Sequence, residues 1–146
     1  MDKYDLLYLV ASVMFHLILA AHFALRKFTF NIAIRYGWIV YALSIPFAGI
    51  SIFLLLSGKD WFFWIGGFLF FIWAVFGYNV EYVKKIEWRE PIKWQVFIPY
   101  IILYLATTMF YWWPAARIYK PVWLIATLLF VLNTYLNISS HKKATP

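Results

Sequence analysis

Five stretches of the chain contain no Asp, Glu, Lys or Arg: 6–25, 36–58, 61–80, 94–116 and 121–140, each of 20 to 23 residues. About 20 residues at 1.5 Å rise cross the roughly 30 Å hydrocarbon core of a bilayer. Backbone amides and carbonyls in lipid must satisfy one another within the segment, which selects helices. Ten-residue alternating strands are absent, which argues against a membrane barrel. The reading is therefore an all-α, polytopic integral membrane protein, a bundle of five transmembrane helices. The expected spans are 6–25, 36–57, 61–85, 93–113 and 121–139, forming a single transmembrane domain over 1–146.

Composition closes off the alternative. Of 146 residues, 65% are hydrophobic and 13% charged, whereas soluble domains run near 45–50% and about 25%. Too few polar side chains remain to coat a water-facing globule. The net charge of +7 does not point to nucleic acid, because the basic residues lie scattered between apolar blocks and form no continuous basic face. With no Cys, thiolate nucleophiles, cysteine metal sites and disulfide chemistry drop out.

Charge and punctuation set the topology. One set of chain ends and loops carries Lys3, Lys59, Arg117 and Lys120. The alternate set carries Arg26, Lys27, Arg35, Lys84, Lys85, Arg89, Lys93, Lys142 and Lys143. The positive-inside rule places the second set in the cytoplasm, with the N-terminus outside and the C-terminus inside, in the plasma membrane. Asp2 and Asp5 before the first apolar run, with Arg26 and Lys27 after it, reverse the pattern of a cleavable signal. Ser57-Gly58-Lys59-Asp60 reads as a tight turn, and Pro121 as a helix start. Pro46 and Pro99 fall inside spans and are expected to bend them. The segment 26–35 reads either as an interfacial stretch or as an early start to the second helix. Glu81 and Lys85 stand four apart and are expected to pair on a helix projecting past the membrane, with Glu81 reaching water beside Lys84 or Lys85.

Polar groups inside the spans are the candidates for function, because lipid makes them costly. Tyr100, Tyr104, Thr107 and Tyr111 form one stripe at helical spacing. Trp123, Thr127, Thr134 and Asn137 form another, with Asn133 beside it. Such stripes serve either as interhelical hydrogen-bond partners or as the wall of a hydrated or ligand-binding cavity. Gly66, Phe70, Trp73 and Gly77 share one face of the third span, suited to close packing or to an aromatic pocket. His16 and His22 lie in the first span, with Ser12 one turn before His16. Asn79 joins them at the cytoplasmic level. The candidate ligand-binding set is His16, His22, Phe70, Trp73, Asn79, Tyr100, Tyr104, Thr107, Asn133 and Asn137.

Much chemistry is missing. No span carries a Lys for a Schiff base or an Arg series for voltage sensing. No phosphate loop, Asp-rich metal site or H-E-x-x-H motif occurs. No catalytic or metal-ligating residue is assigned, no cofactor is identified, and a non-enzymatic role is the expectation. Three classes stay open: a small-molecule or lipid-binding carrier or sensor with an aromatic and polar pocket, an accessory or structural subunit of a larger membrane complex, and a membrane enzyme acting on an apolar substrate. The expected partners are the bilayer and an apolar or amphipathic small molecule, with no nucleic acid. Homo-oligomers or a membrane complex are further alternatives.

Overall fold

The computed structural model describes residues 1–140, and Lys142 and Lys143 lie outside them. Helix α1 spans Lys3–Phe28. It begins earlier than its apolar run because Asp2 and Asp5 form a reciprocal capping box, each carboxylate accepting the other's backbone amide. Arg26 and Lys27 occupy its last turn, where cations complement the helix dipole.

The second apolar stretch is three helical pieces, α2 (Phe30–Tyr36), α3 (Trp38–Ala42) and α4 (Ser44–Leu56). Of the segment 26–35, residues 26–28 close α1 and 30–35 lie in α2. The last break falls at Leu43. Pro46 explains it, since its ring crowds the carbonyl four residues back, at Ala42, and it has no amide to donate there. Helix α5 covers Trp61–Tyr78 and runs into a π-helical turn, Asn79–Val83. Helix α6 covers Trp94–Trp112 and continues through Pro99. The carbonyl that Pro99 leaves free is that of Gln95, in the first turn, so no interior turn loses its ladder. Helix α7 is short (Ala115–Ile118), and α8 covers Lys120–Ser140.

Five helices are long and apolar enough to cross a membrane: Lys3–Phe28, Phe30–Leu56, Trp61–Val83, Trp94–Ile118 and Lys120–Ser140. Among the described residues there is no strand, only an isolated bridge between Arg89 and Ile92. Large apolar side chains such as Val10, Leu17, Ile52, Ile72, Ile102, Leu128 and Val131 are exposed along the helix exteriors. A soluble monomer rarely shows apolar surface on this scale, and the exterior fits a membrane location.

Helix α1 is the hub, packing along α8 and also touching α4 and α6. Its buried residues recur every three to four positions, from Tyr8 through Ser12, Phe15, His16, Leu19 and His22 to Phe23. The α4–α5–α6 row closes the other side. The approach of α5 to its neighbours depends on small residues. A Cβ at Gly66 would meet the Tyr111 ring, and one at Gly77 would stand 2.9 Å from the Tyr41 ring. Gly66, Phe70, Trp73 and Gly77 are all buried, so this face lies inside the bundle.

Candidate functional site

Nine of the ten sequence candidates are buried: His16, His22, Phe70, Trp73, Tyr100, Tyr104, Thr107, Asn133 and Asn137. They form two neighbourhoods. In the middle of the bundle, Ser12 Oγ donates to the Tyr111 carbonyl, and His16 Nδ1 donates to the Ser12 carbonyl at 2.8 Å. With its proton on Nδ1, a neutral His16 presents Nε2 as an acceptor, and no protein group donates to it. Asn133 Nδ2 donates to the His16 carbonyl at 3.0 Å, tying α8 to α1, while its Oδ1 has no protein donor. Thr107 donates to the Leu103 carbonyl of its own helix. Tyr104 lies beside Thr108 and Thr134. A ring network fills the space between, with Phe15 stacked on Tyr111 at 4.5 Å and edge-on to Phe70 at 5.1 Å.

The second neighbourhood lies where α1 ends and the π turn follows α5. His22, Tyr41, Trp73 and Tyr100 form a chain of rings with successive centroids 6.1, 5.5 and 5.5 Å apart. The tenth candidate, Asn79, stays apart. It is exposed, and its Nδ2 turns back to the Val75 carbonyl at 2.8 Å.

The centre of this end is a group of charges. Glu81 Oε2 accepts from Tyr41 at 2.8 Å and from Arg26 Nη1 at 3.5 Å. Its Oε1 lies 3.1 Å from Arg26 Nη2 and 3.0 Å from Arg89 Nη2. The three charged side chains are only 11–15% exposed. This corrects the expected pairing of Glu81 with Lys84 or Lys85, both of which are exposed. The cause is local. The Asn79 side chain competes for the Val75 carbonyl, and the Lys84 amide reaches back five residues to the Asn79 carbonyl at 2.8 Å. The resulting π turn aims Glu81 into the bundle, as single π turns often do at functional positions. Lys85 then takes a left-handed conformation, φ 49°, which ends the helix and breaks the Glu81–Lys85 helical spacing.

The chain after Lys85 folds back over this end. The Ile86 amide bonds to the Val80 carbonyl, and the Lys93 amide to the Trp88 carbonyl. Trp88 is 2% exposed and packs on Tyr100 at 4.8 Å. The Arg89 guanidinium stacks over Trp88 at 4.3 Å, a favourable cation–π placement. Trp88, Arg26 and Arg89 are not among the sequence candidates. A signal for Arg26 was present: it follows Leu19 by seven residues and His22 by four, on the buried stripe of α1.

Two surface hollows, of ≈330 and ≈370 Å³, lie elsewhere, one lined by Phe28, Thr29, Phe30, Asn31 and Ile32, the other between the start of α1 and Tyr119 and Val122. Among the described residues no group of three or more His, Cys, Asp or Glu is placed to hold a metal. No family model, curated protein or solved structure matches the chain.

Proposed function

We propose that the protein is an integral membrane carrier or sensor that binds an amphipathic small molecule or lipid among its helices, with polar contacts supplied by the inward-facing stripes. One observation supports this reading above others. In an interior packed ring against ring, several buried polar atoms have no protein partner: His16 Nε2, His22 Nε2, Tyr100 OH and Asn133 Oδ1. Buried polar groups are almost always satisfied, and exceptions in both neighbourhoods need an explanation. A bound polar head provides one, with Phe70 and Trp73 bounding an apolar wall, as ligand sites commonly combine the two. The proposed orientation puts the N-terminus outside the plasma membrane and the Arg26–Glu81–Arg89 end inside. Single cysteines introduced at Ser57 and Ser140 should then label from opposite faces. Labelling from one face would overturn the arrangement.

The binding reading is tested by mass spectrometry of organic extracts from detergent-purified protein. A stoichiometric amphiphile should accompany the wild type and be depleted in Tyr104→Phe and Asn133→Leu, with both variants folded. If both variants lose stability and the extract is unchanged or empty, the stripes are packing groups and the reading fails.

A further inference from the structure

The charges around Glu81 do not balance. Two guanidiniums face one carboxylate, leaving one net positive charge among side chains 11–15% exposed. The other titratable groups here, His22, Tyr41, Tyr82 and Tyr100, supply no anion in their neutral forms. An uncompensated charge away from water is strongly unfavourable, more so in a chain built for lipid.

The geometry also shows which donors lack an acceptor. Arg26 is committed, touching both oxygens of Glu81. Arg89 is not. Its Nη2 approaches Glu81 at 3.0 Å but outside hydrogen-bonding alignment, and its Nε has no acceptor. Nε and Nη2 form one edge of a guanidinium, the edge that grips an oxyanion with two parallel hydrogen bonds. Trp88, stacked on the guanidinium face, fixes its plane. The Tyr100 ring lies 5.8 Å from the same guanidinium, and its buried hydroxyl has no partner.

The surface beside this group mixes charged and apolar side chains, with Lys84, Lys85, Glu87, Glu90 and Lys93 exposed. Phe28 beyond Arg26, Val83 beyond Glu81, and Ile92 and Trp94 beyond Arg89 are all exposed, by 67%, 60%, 47% and 60%. A buried cationic centre bordered by these exposed apolar side chains suits a ligand with an oxyanion head and a hydrocarbon tail.

We propose that the Nε–Nη2 edge of Arg89, backed by Arg26 and the Tyr100 hydroxyl, is a binding site for the oxyanion head of an amphiphile, of the phosphate or carboxylate class. This rests on the binding reading above and names the head that such a ligand carries. Glu81 holds the two arginines in place and, 3.0 Å from Arg89 Nη2, competes with the oxyanion for that nitrogen.

The test titrates the detergent-purified full chain with octyl phosphate and follows tryptophan fluorescence, since Trp88 lies against Arg89. Inorganic phosphate and the neutral octyl glucoside are run beside it. Octyl phosphate should bind saturably and octyl glucoside should not. Arg89→Gln should weaken binding roughly tenfold or more. Arg89→Lys, which keeps the charge and loses the fork, should recover only part of it. Glu81→Gln should gain more thermal stabilisation from octyl phosphate than the wild type, because it leaves two cations without their carboxylate. Inorganic phosphate binding as tightly as octyl phosphate would support the oxyanion site and assign it to a free anion. Much weaker inorganic phosphate would assign it to a lipid-like headgroup. Saturation unaffected by Arg89→Gln and Arg89→Lys, or no saturable change at all, overturns the proposal. A neutral amphiphile in the extracts that persists in Arg89→Gln would overturn the headgroup and leave the binding reading intact. An empty extract with no octyl phosphate binding removes both.

Discussion

The two ends of the bundle carry charge triads that are inversions of each other. At one end Lys59 lies between Asp2 and Asp5, at 2.9 and 2.7 Å. At the other Glu81 lies between Arg26 and Arg89. The first triad is one cation with two carboxylates, and the second is one carboxylate with two cations. Their surroundings separate them. In the first, Lys59 and Asp5 are each 20% exposed and Asp2 53%, so water solvates the charge of Asp2, whereas no member of the Glu81 triad exceeds 15%. The lysine end clips the turn after α4 to the start of α1. The arginine end joins α1, the π turn and the folded-back loop around a charge that water barely reaches. The same ion-pair vocabulary gives a fastening at one end and an unbalanced electrostatic centre at the other.

The largest effect that follows is at Glu81. Glu81→Gln leaves two buried guanidiniums facing each other, and breaking a buried pair from one side costs about 3–5 kcal/mol. Thermal unfolding in detergent should show the loss, with Glu81→Asp in between. If Glu81→Gln melts like the wild type, the buried end is solvated after all and the contrast between the ends collapses.

This comparison also shows what the sequence made legible. The number of long apolar helices follows from where charges stop, a property of each stretch alone, while their ends do not: the second begins at Phe30 rather than 36, and the fourth runs to Ile118 rather than 113. The inward turn of Tyr100, Tyr104 and Thr107 follows from helical spacing. The Glu81 triad does not follow from any local rule. Spacing offered Lys85 four residues on, while Arg26 is 55 residues away and Arg89 comes in on an irregular loop. A π turn decides between them, and its trigger, the Asn79 side chain competing for the Val75 carbonyl, resembles any polar residue near a helix end. The burial of Arg26 was recoverable, since it continues the α1 stripe of Phe15, Leu19 and His22, but its charge places it at the water boundary in a hydropathy reading.

The hydroxyl that supports Glu81 gives the next effect. Tyr41 donates to Glu81 Oε2 at 2.8 Å, and a hydrogen bond to a charged group contributes about 1.5–3 kcal/mol. Tyr41→Phe should lower stability by that order and loosen the arginine end alone. Gly77→Ala attacks the same contact from behind. Its Cβ would stand 2.9 Å from the Tyr41 ring and hydroxyl, and overpacking of this kind costs about 1–3 kcal/mol. The paired control is Gly49→Ala, where nothing lies within 4 Å and thermal unfolding should be unchanged or slightly improved. Equal effects at Gly77 and Gly49 would mean that α3 and α5 do not approach closely at Tyr41.

The smallest effect belongs to the exposed triad, and its dependence on pH and salt distinguishes it from the buried one. Burial disfavours the Lys59 ammonium, but hydrogen bonds to Asp5 and Asp2 outweigh this and hold its pKa above the ordinary lysine value. The hydrogen bond from Lys59 is the main cause that holds the Asp2 carboxyl below its usual range. For a raised lysine, the stabilisation is complete below the unfolded value of about 10.4 and fades as pH rises through the folded one. For a depressed carboxyl, it is complete above about 3.9 and fades as pH falls through the folded value. The clip therefore operates across the whole neutral range and weakens only at the two extremes. Exposed pairs contribute little, so Lys59→Gln should lower the unfolding midpoint by no more than roughly 4 °C at pH 7. At 1 M salt the Debye length falls to about 3 Å, and the difference between Lys59→Gln and wild type should nearly vanish there, while that of Glu81→Gln persists. A Lys59→Gln loss as large and as salt-resistant as that of Glu81→Gln would show that both ends are dry, and that exposure does not separate them.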